Sequence, residues 1–178
     1  MTRYTIDPQR SQVWIEGSSS VHPIRATATG LTGWFDLDAE ARAGARLAQG
    51  TVEVAVDRLR SGNALVDRET RRRIDARRYP AIVGEIVAID AVRDDTLVVR
   101  GTIAFRGVAN EVPGELVVRP IDGGVAITGE AAFDVRRWGL EPPRVAMLKV
   151  HPMVRVRITI TATTAPTPAD GPLDQRKP

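Results

Sequence analysis

Thr96-Leu-Val-Val-Arg-Gly-Thr-Ile-Ala-Phe-Arg-Gly-Val108, answered by Glu111-Val-Pro-Gly-Glu-Leu-Val-Val118, decides the fold class. Leu97, Val99, Gly101, Ile103 and Phe105 fall on one parity, and Val98, Arg100, Thr102, Ala104 and Arg106 on the other. Successive side chains of an extended chain point to opposite faces, so the stretch predicts two long, half-buried strands joined by a short turn. A strand of that length suits a large curved sheet.

The alternation recurs outward from there. Val13 and Ile15 oppose Trp14 and Glu16, and Val52, Val54 and Val56 alternate with Glu53, Ala55 and Asp57. Ile82, Gly84 and Ile86 repeat the pattern, as do Val125, Ile127 and Gly129 ahead of Phe133. Near the end Val154, Val156, Ile158 and Ile160 alternate strictly with Arg155, Arg157, Thr159 and Thr161. About six to nine strands with little helix predict an all-β antiparallel sandwich or up-and-down barrel. Closure into a barrel removes the exposed edges that such strands otherwise present.

A chain of 178 residues, 43% hydrophobic and 26% charged, predicts one globular domain with a core of its own. There is no cysteine, which excludes disulfides and thiolate metal sites. The opening Met-Thr-Arg-Tyr-Thr-Ile-Asp has no apolar export segment, and no run approaches the roughly 20 apolar residues of a spanning helix. A soluble cytoplasmic protein is the expectation. The formal charge of +3 does not by itself argue for nucleic acid. Thr163–Pro178 is proline-rich and without hydrophobic period, so the expected division is a barrel over residues 1–162 and a disordered tail over 163–178.

Between strands, Asn63 to Arg73 predicts a short helix capped by Asn63, with Asp67 and Glu69 each four residues ahead of Arg71 and Arg73. Leu65 and Val66 are expected to face the barrel, with Ile74 just beyond. Tyr79 before Pro80 is biased to extended backbone and leads into the next strand. For Ala39 to Gln49 the pattern leaves open a short helix or a mobile loop.

In order along the chain, these segments resemble the YceI-like family. Ile6-Asp7-Pro8 with Arg10-Ser11-Gln12-Val13 resembles its opening, Gly50-Thr-Val-Glu-Val-Ala-Val-Asp57 its third strand, and Ser61-Gly62-Asn63 with Asp67 its helix entry. Ile74-Asp75 and Tyr79-Pro80 resemble the elements before its next strand. Gly101-Thr-Ile-Ala-Phe-Arg-Gly-Val108 resembles its strongest element, and Phe133 to Gly139 the segment ending in Phe-Gly. The likeness spans about residues 4 to 162. It implies a lipocalin-like single antiparallel β-barrel around an elongated apolar cavity that holds a long lipid, a polyisoprenoid or quinone. Gly84 stands where the family commonly has an aromatic residue, and Trp138-Gly139 replaces the usual Phe-Gly, which implies a cavity of different width.

The inward set expected to meet such a ligand is Val13, Ile15, Phe35, Leu37, Val54, Val56, Ile82, Ile86, Ile103, Phe105, Phe133, Val154, Val156 and Ile158. Parity alone leaves open whether these side chains line a cavity or fill a core. Trp138, beside Gly139 and the Pro142-Pro143 turn, is the candidate for the mouth, whereas Trp14 has outward parity. No catalytic residue, metal site or cofactor is expected. His22 and His151 lack nearby carboxylates at ligand spacing, and Ser18, Ser19 and Ser20 lack a nucleophile elbow.

The arginine run from Arg68 to Arg78 reads as a solvated helix face paired with Asp67, Glu69 and Asp75. A second reading gives Arg72, Arg73 and Arg77 to an anionic headgroup or membrane surface at the barrel mouth. Nucleic acid comes third, since interleaved stacking aromatics are missing. The function expected is sequestration or transport of a long apolar lipid. The alternative is a packed-core interaction protein using the arginine face to bind an acidic partner. A homodimer stays open.

Overall fold

The computed structural model describes residues 1–38, 46–142, 144–145 and 148–164. In chain order its strands are β1 (Thr2–Ile6), β2 (Gln12–Ser19), β3 (Ile24–Thr29), β4 (Thr32–Asp38) and β5 (Arg46–Ala55). After a 3₁₀ turn at Val56–Arg58 and helix α1 (Ala64–Ile74) come β6 (Ala81–Arg93), β7 (Thr96–Phe105), β8 (Val108–Ile121) and β9 (Gly124–Asp134). A second 3₁₀ turn, Val135–Trp138, leads to β10 (Arg144–Val145) and β11 (Leu148–Thr164). Two further short strands thus add to the six to nine expected.

Antiparallel pairing runs β1-β4-β5-β6-β7-β8-β9-β11 and returns to β1, closing an eight-stranded barrel. β11, 17 residues long, serves two partners on one side. Its residues 150–159 pair with β2, and Ala162–Thr164 pair with Ile6–Tyr4 of β1. β2 carries β3 as an outer strand. The barrel thus extends through Thr164, two residues past the expected boundary, and residues 165–178 lie outside the described residues. Of the ambiguous segment 39–49, residues 46–49 belong to β5 and the rest lie outside the described residues.

The deciding hairpin turns earlier than its apolar pattern suggested. Phe105 pairs with Val108, so the turn is Arg106-Gly107 and Val108 opens the return strand. Both turn residues have left-handed φ, 51° and 75°, the conformation of a two-residue hairpin whose twist matches that of the strands it joins.

Helix α1 forms where predicted, and the Asn63 side chain accepts from the Leu65 and Val66 amides at 3.0 and 3.4 Å. Its inward face differs from expectation. Asp67 and Ile74, seven residues apart and therefore on one stripe, are buried, whereas Leu65 is 68% exposed and Val66 41%. The deciding contact is polar: the Asp67 carboxylate accepts from the Ser61 amide at 2.7 Å and the Ser61 hydroxyl at 2.6 Å. These bonds turn its face inward and lower the Asp67 pKa. Glu69 meets Arg73 at 2.8 Å as expected, while Asp67 binds Ser61 in place of an ion pair with Arg71. No helix among the described residues is long and apolar enough to cross a membrane.

Antiparallel order sorts the connections between two ends. One end carries the β2–β3 turn, the β5–β6 segment with α1, the β7–β8 turn and the β9–β11 segment. The other carries the β6–β7 turn at Asp94-Asp95 and the β8–β9 turn at Asp122-Gly123. Inward residues toward the aspartate turns, among them Leu37, Leu97, Val118, Ile127 and Ile160, are buried in a packed core. Toward the helix end, Ile15, Ile82, Ile103, Phe105, Phe133 and Val154 keep the same inward parity but are only half-buried. The barrel is filled at one end and hollow at the other.

Candidate lipid cavity

A cavity of about 220 Å³ occupies the hollow half. Its walls are almost wholly aliphatic and aromatic, which favours a hydrocarbon over any polar occupant. The space arises from glycine on inward positions of neighbouring strands. Gly84 stands opposite Val52 and Ile103, Gly101 opposite Ile86 and Val112, and Gly114 opposite Val99. At each of these the wall is bare backbone beside a branched side chain, so the barrel is wider than one filled at every inward position. A Cβ placed on Gly84 meets only Val52, with its Cγ1 at 3.2 Å, whereas one on Gly101 stands 2.9 Å from the Glu85 carbonyl oxygen.

The structure brings ten of the expected inward residues to this wall: Val13, Ile15, Phe35, Val54 and Ile82, then Ile86, Ile103, Phe133, Val156 and Ile158. Five expected residues are elsewhere. Leu37, toward the aspartate turns, and Val56, at the start of the helix-end β5–β6 segment, are fully buried, leaving no surface for a ligand. Phe105, the last residue of β7, and Val154, paired with Phe133 and Gly17, are half-buried outside the lining. Trp138 is the clearest correction: it is 1% exposed and packs as a wedge, not as an open mouth. Its ring lies 5.0 Å from that of Phe133, tilted by 59°. Its indole N–H donates to the Ile103 carbonyl at 2.9 Å.

Sequence reading missed Val52, Val99, Val112, Leu116 and Ala131, which also line the cavity. The signal for Val52 and Val99 was present as parity with Val54 and Ile103. For Val112 and Leu116 it lay in the quoted return strand. What parity cannot supply is height along the barrel.

Around the helix-end rim the wedge is tied down by polar bonds. Arg106, in the β7–β8 turn, donates to the carbonyls of Trp138 at 3.2 Å and of Gly139, while its Nε is buried without a partner. Arg137 donates to the Glu111 carbonyl at 2.9 Å, and the Asn110 amide donates to the Arg137 carbonyl at 2.9 Å. Asp134 accepts from the Arg136 guanidinium and amide, which holds its carboxyl below the usual range. The Tyr79 ring packs against Gly107 on the same rim.

The three arginines expected at a headgroup divide. Arg72 and Arg73 both pair with Glu69, at 2.9 and 2.8 Å, and Arg73 also reaches the Glu141 carbonyl at 3.5 Å, joining α1 to the β9–β11 segment. Arg77 is exposed. Among the described residues no three His, Asp or Glu side chains gather in a way that could hold a metal. His22 Nδ1 lies 3.1 Å from the Pro23 carbonyl in the β2–β3 connection, with the Ser19 hydroxyl donating to the His22 carbonyl at 2.6 Å.

The same chain matches a family model, the YceI-like domain, over residues 4–162. The chain belongs to the YceI-like family. Solved structures agree on the fold. BcnA of Burkholderia cenocepacia superposes with a TM-score of 0.76 at 15% identity, covering 89% of this chain and 99% of that one. A polyisoprenoid binding domain from Saccharophagus degradans gives 0.71 at 14% identity, covering 93% and 100%. A Campylobacter jejuni YceI protein gives 0.66 at 12% identity, covering 80% and 85%. No curated protein matches the chain by sequence. At these identities the structural likeness is one of fold.

Proposed function

We propose that this YceI-like barrel is a binding protein, without chemistry of its own, that takes up the apolar chain of a polyisoprenoid or quinone for sequestration or transport in the cytoplasm. The observation that carries the reading is the apolar cavity of about 220 Å³ in a barrel otherwise able to pack its core. Retaining an apolar void forgoes packing that a filled core would gain, so its persistence is explained best by an occupant. Membership of the family and the likeness to the polyisoprenoid binding domain from Saccharophagus degradans support the same ligand class. Each buried CH₂-sized group contributes about 0.8 kcal/mol, so tail burial needs no charged anchor.

The cavity is smaller than the roughly 300–1,000 Å³ of ordinary small-molecule pockets, so a long isoprenoid places only part of its chain there. The remainder and the polar head leave at the helix end, where Arg77 is exposed and Arg72 and Arg73 share one carboxylate. The expected ligand contacts are therefore the ten lining residues already named together with Val52, Val99, Val112 and Leu116.

Native mass spectrometry of the purified protein, with organic extraction and mass analysis of what comes off, tests this. A stoichiometric long-chain lipid is the expected result. An empty protein that also refuses added quinones and fatty acids would overturn it and turn attention to the arginine face. Replacing Ile103 by arginine should abolish uptake in a barrel that still folds. Cell fractionation checks the cytoplasmic location.

A further inference from the structure

The positive charge of the barrel is concentrated at one end. The helix-end connections 56–80, 106–107 and 135–142 hold eleven arginines against five acidic residues. The described turns at the other end, 94–95 and 122–123, hold three aspartates, with Arg93 beside them and Arg119 paired to Asp95 at 3.2 Å. The whole chain is only +3, so the excess belongs to one end and not to the molecule. Arg68, Arg77 and Arg78 are exposed and join no ion pair among the described residues; Arg78 lies 5.3 Å over the Tyr79 ring.

Aliphatic tips project from the same end. Val21 in the β2–β3 connection is 73% exposed, Leu65 in the first turn of α1 68%, and Val108 at the hairpin turn 42%. Three separate connections thus each raise a branched apolar side chain at this end. The hollow half of the barrel faces this end as well.

We infer that the helix end is a docking face for an anionic lipid bilayer, on which Arg68, Arg77 and Arg78 meet the headgroups while Val21, Leu65 and Val108 enter the interface. Basic groups near a negatively charged leaflet are attracted through its surface potential, and shallow apolar insertion adds to that attraction. The helix end faces the bilayer, because the arginine excess lies there. Nucleic acid is disfavoured, because the projecting tips are aliphatic and offer no ring for a base to stack on. The inference goes beyond lipid binding in the cavity, and gives that cavity a route by which a lipid enters without crossing water.

The test is flotation of the full chain with phosphatidylcholine vesicles, with and without phosphatidylglycerol, at low and physiological ionic strength. The expected result is binding to the anionic vesicles alone, weakened by salt. Arg68→Gln with Arg78→Gln should lower the partition coefficient by about fivefold for each arginine removed. Leu65→Asp with Val108→Asp should weaken binding at high salt, where insertion carries more of it. Arg93→Gln at the aspartate end is the control and should change nothing.

Absence of binding to anionic vesicles overturns the inference, as does equal loss in the Arg93 control. Binding that a random oligonucleotide competes away without any vesicle preference assigns the face to nucleic acid and also overturns it. Flotation needs no ligand in the cavity, so it reads separately from the mass spectrometry that tests lipid uptake. Circular dichroism of each variant verifies that the exposed substitutions leave the barrel folded.

Discussion

The indole N–H of Trp138 donates to the backbone carbonyl of Ile103 across 2.9 Å, while the side chain of Ile103 lines the cavity. One residue thus presents its side chain to the hollow and its backbone to the wedge that supports it. The β9–β11 segment is held to the end of β7 by this bond and by Arg106, and to β9 by the Phe133–Trp138 ring contact. Trp138→Phe should cost about 1 kcal/mol, the net value of a typical buried hydrogen bond. Trp138→Ala should cost about 3–5 kcal/mol, since it also leaves a cavity. Urea unfolding reads both, and an unchanged midpoint for the phenylalanine variant would mean that the bond adds nothing to stability.

Two glycines of the wall are expected to respond in opposite directions. Gly84→Ala meets only the tip of Val52, which itself borders the cavity and has room to shift. Removing the entropic cost of glycine from a strand should leave stability equal or higher by about 0.5–1 kcal/mol. Gly101→Ala sets a Cβ 2.9 Å from the Glu85 carbonyl oxygen of the neighbouring strand. That backbone has no such freedom, and overpacking of this kind costs about 1–3 kcal/mol. Thermal denaturation of the two variants side by side is the measurement, and equal melting temperatures would refute the assignment.

Acid stability should depend on Arg3 and Asp36, which lie opposite each other on β1 and β4. The Arg3 guanidinium makes two bonds of 2.8 Å to Asp36, Gln49 adds one of 2.7 Å, and Arg3 stacks 3.8 Å over Trp34. These donors, Arg3 first, hold the Asp36 carboxyl down at about 2. A carboxyl lowered on folding stabilises fully above its unfolded pKa of about 3.9, and that stability is lost as pH falls through the folded value. The native protein should therefore lose part of its stability between about pH 4 and pH 2. Arg3→Ala should lose less over that interval, as read from urea midpoints against pH.

Asp67 is expected to matter more than its place in an arginine-rich helix suggests. Its carboxylate satisfies both the amide and the hydroxyl of Ser61, and the largest cause of its lowered pKa is that hydroxyl. Asp67→Ala leaves the Ser61 amide without its acceptor, the hydroxyl keeping the Asn63 carbonyl at 3.2 Å, and should cost about 1–3 kcal/mol. It should also loosen α1 over the barrel. Amide hydrogen exchange read at residues 61–67 distinguishes this from a surface substitution, which would leave local protection intact.

Much of this was local enough to read in the chain. Period-two alternation identified the long antiparallel strands and the side each residue faces, because a strand's side chains alternate whatever lies around it. Asn63 identified the start of α1, because a cap acts within three residues. Where the reading depended on a neighbour in space, it ran out. The turn at Arg106-Gly107 required two left-handed residues that apolar pattern does not mark, and the inward face of α1 was chosen by the bond from Ser61 to Asp67 over the apolar side chains of Leu65 and Val66.

The sequence by itself therefore determined long antiparallel strands and the face each residue takes, since parity is a property of each strand alone, while the single barrel entered through the family resemblance and its closure through the β1–β11 pairing. Only the tertiary structure decided that Leu37 and Val56 fill a core while Ile15 and Ile103 face a hollow, and that Trp138 is a wedge. Whether an inward side chain meets another side chain or empty space depends on the register of eight strands at once and on glycines such as Gly84 and Gly101 across from it. No single strand carries that information.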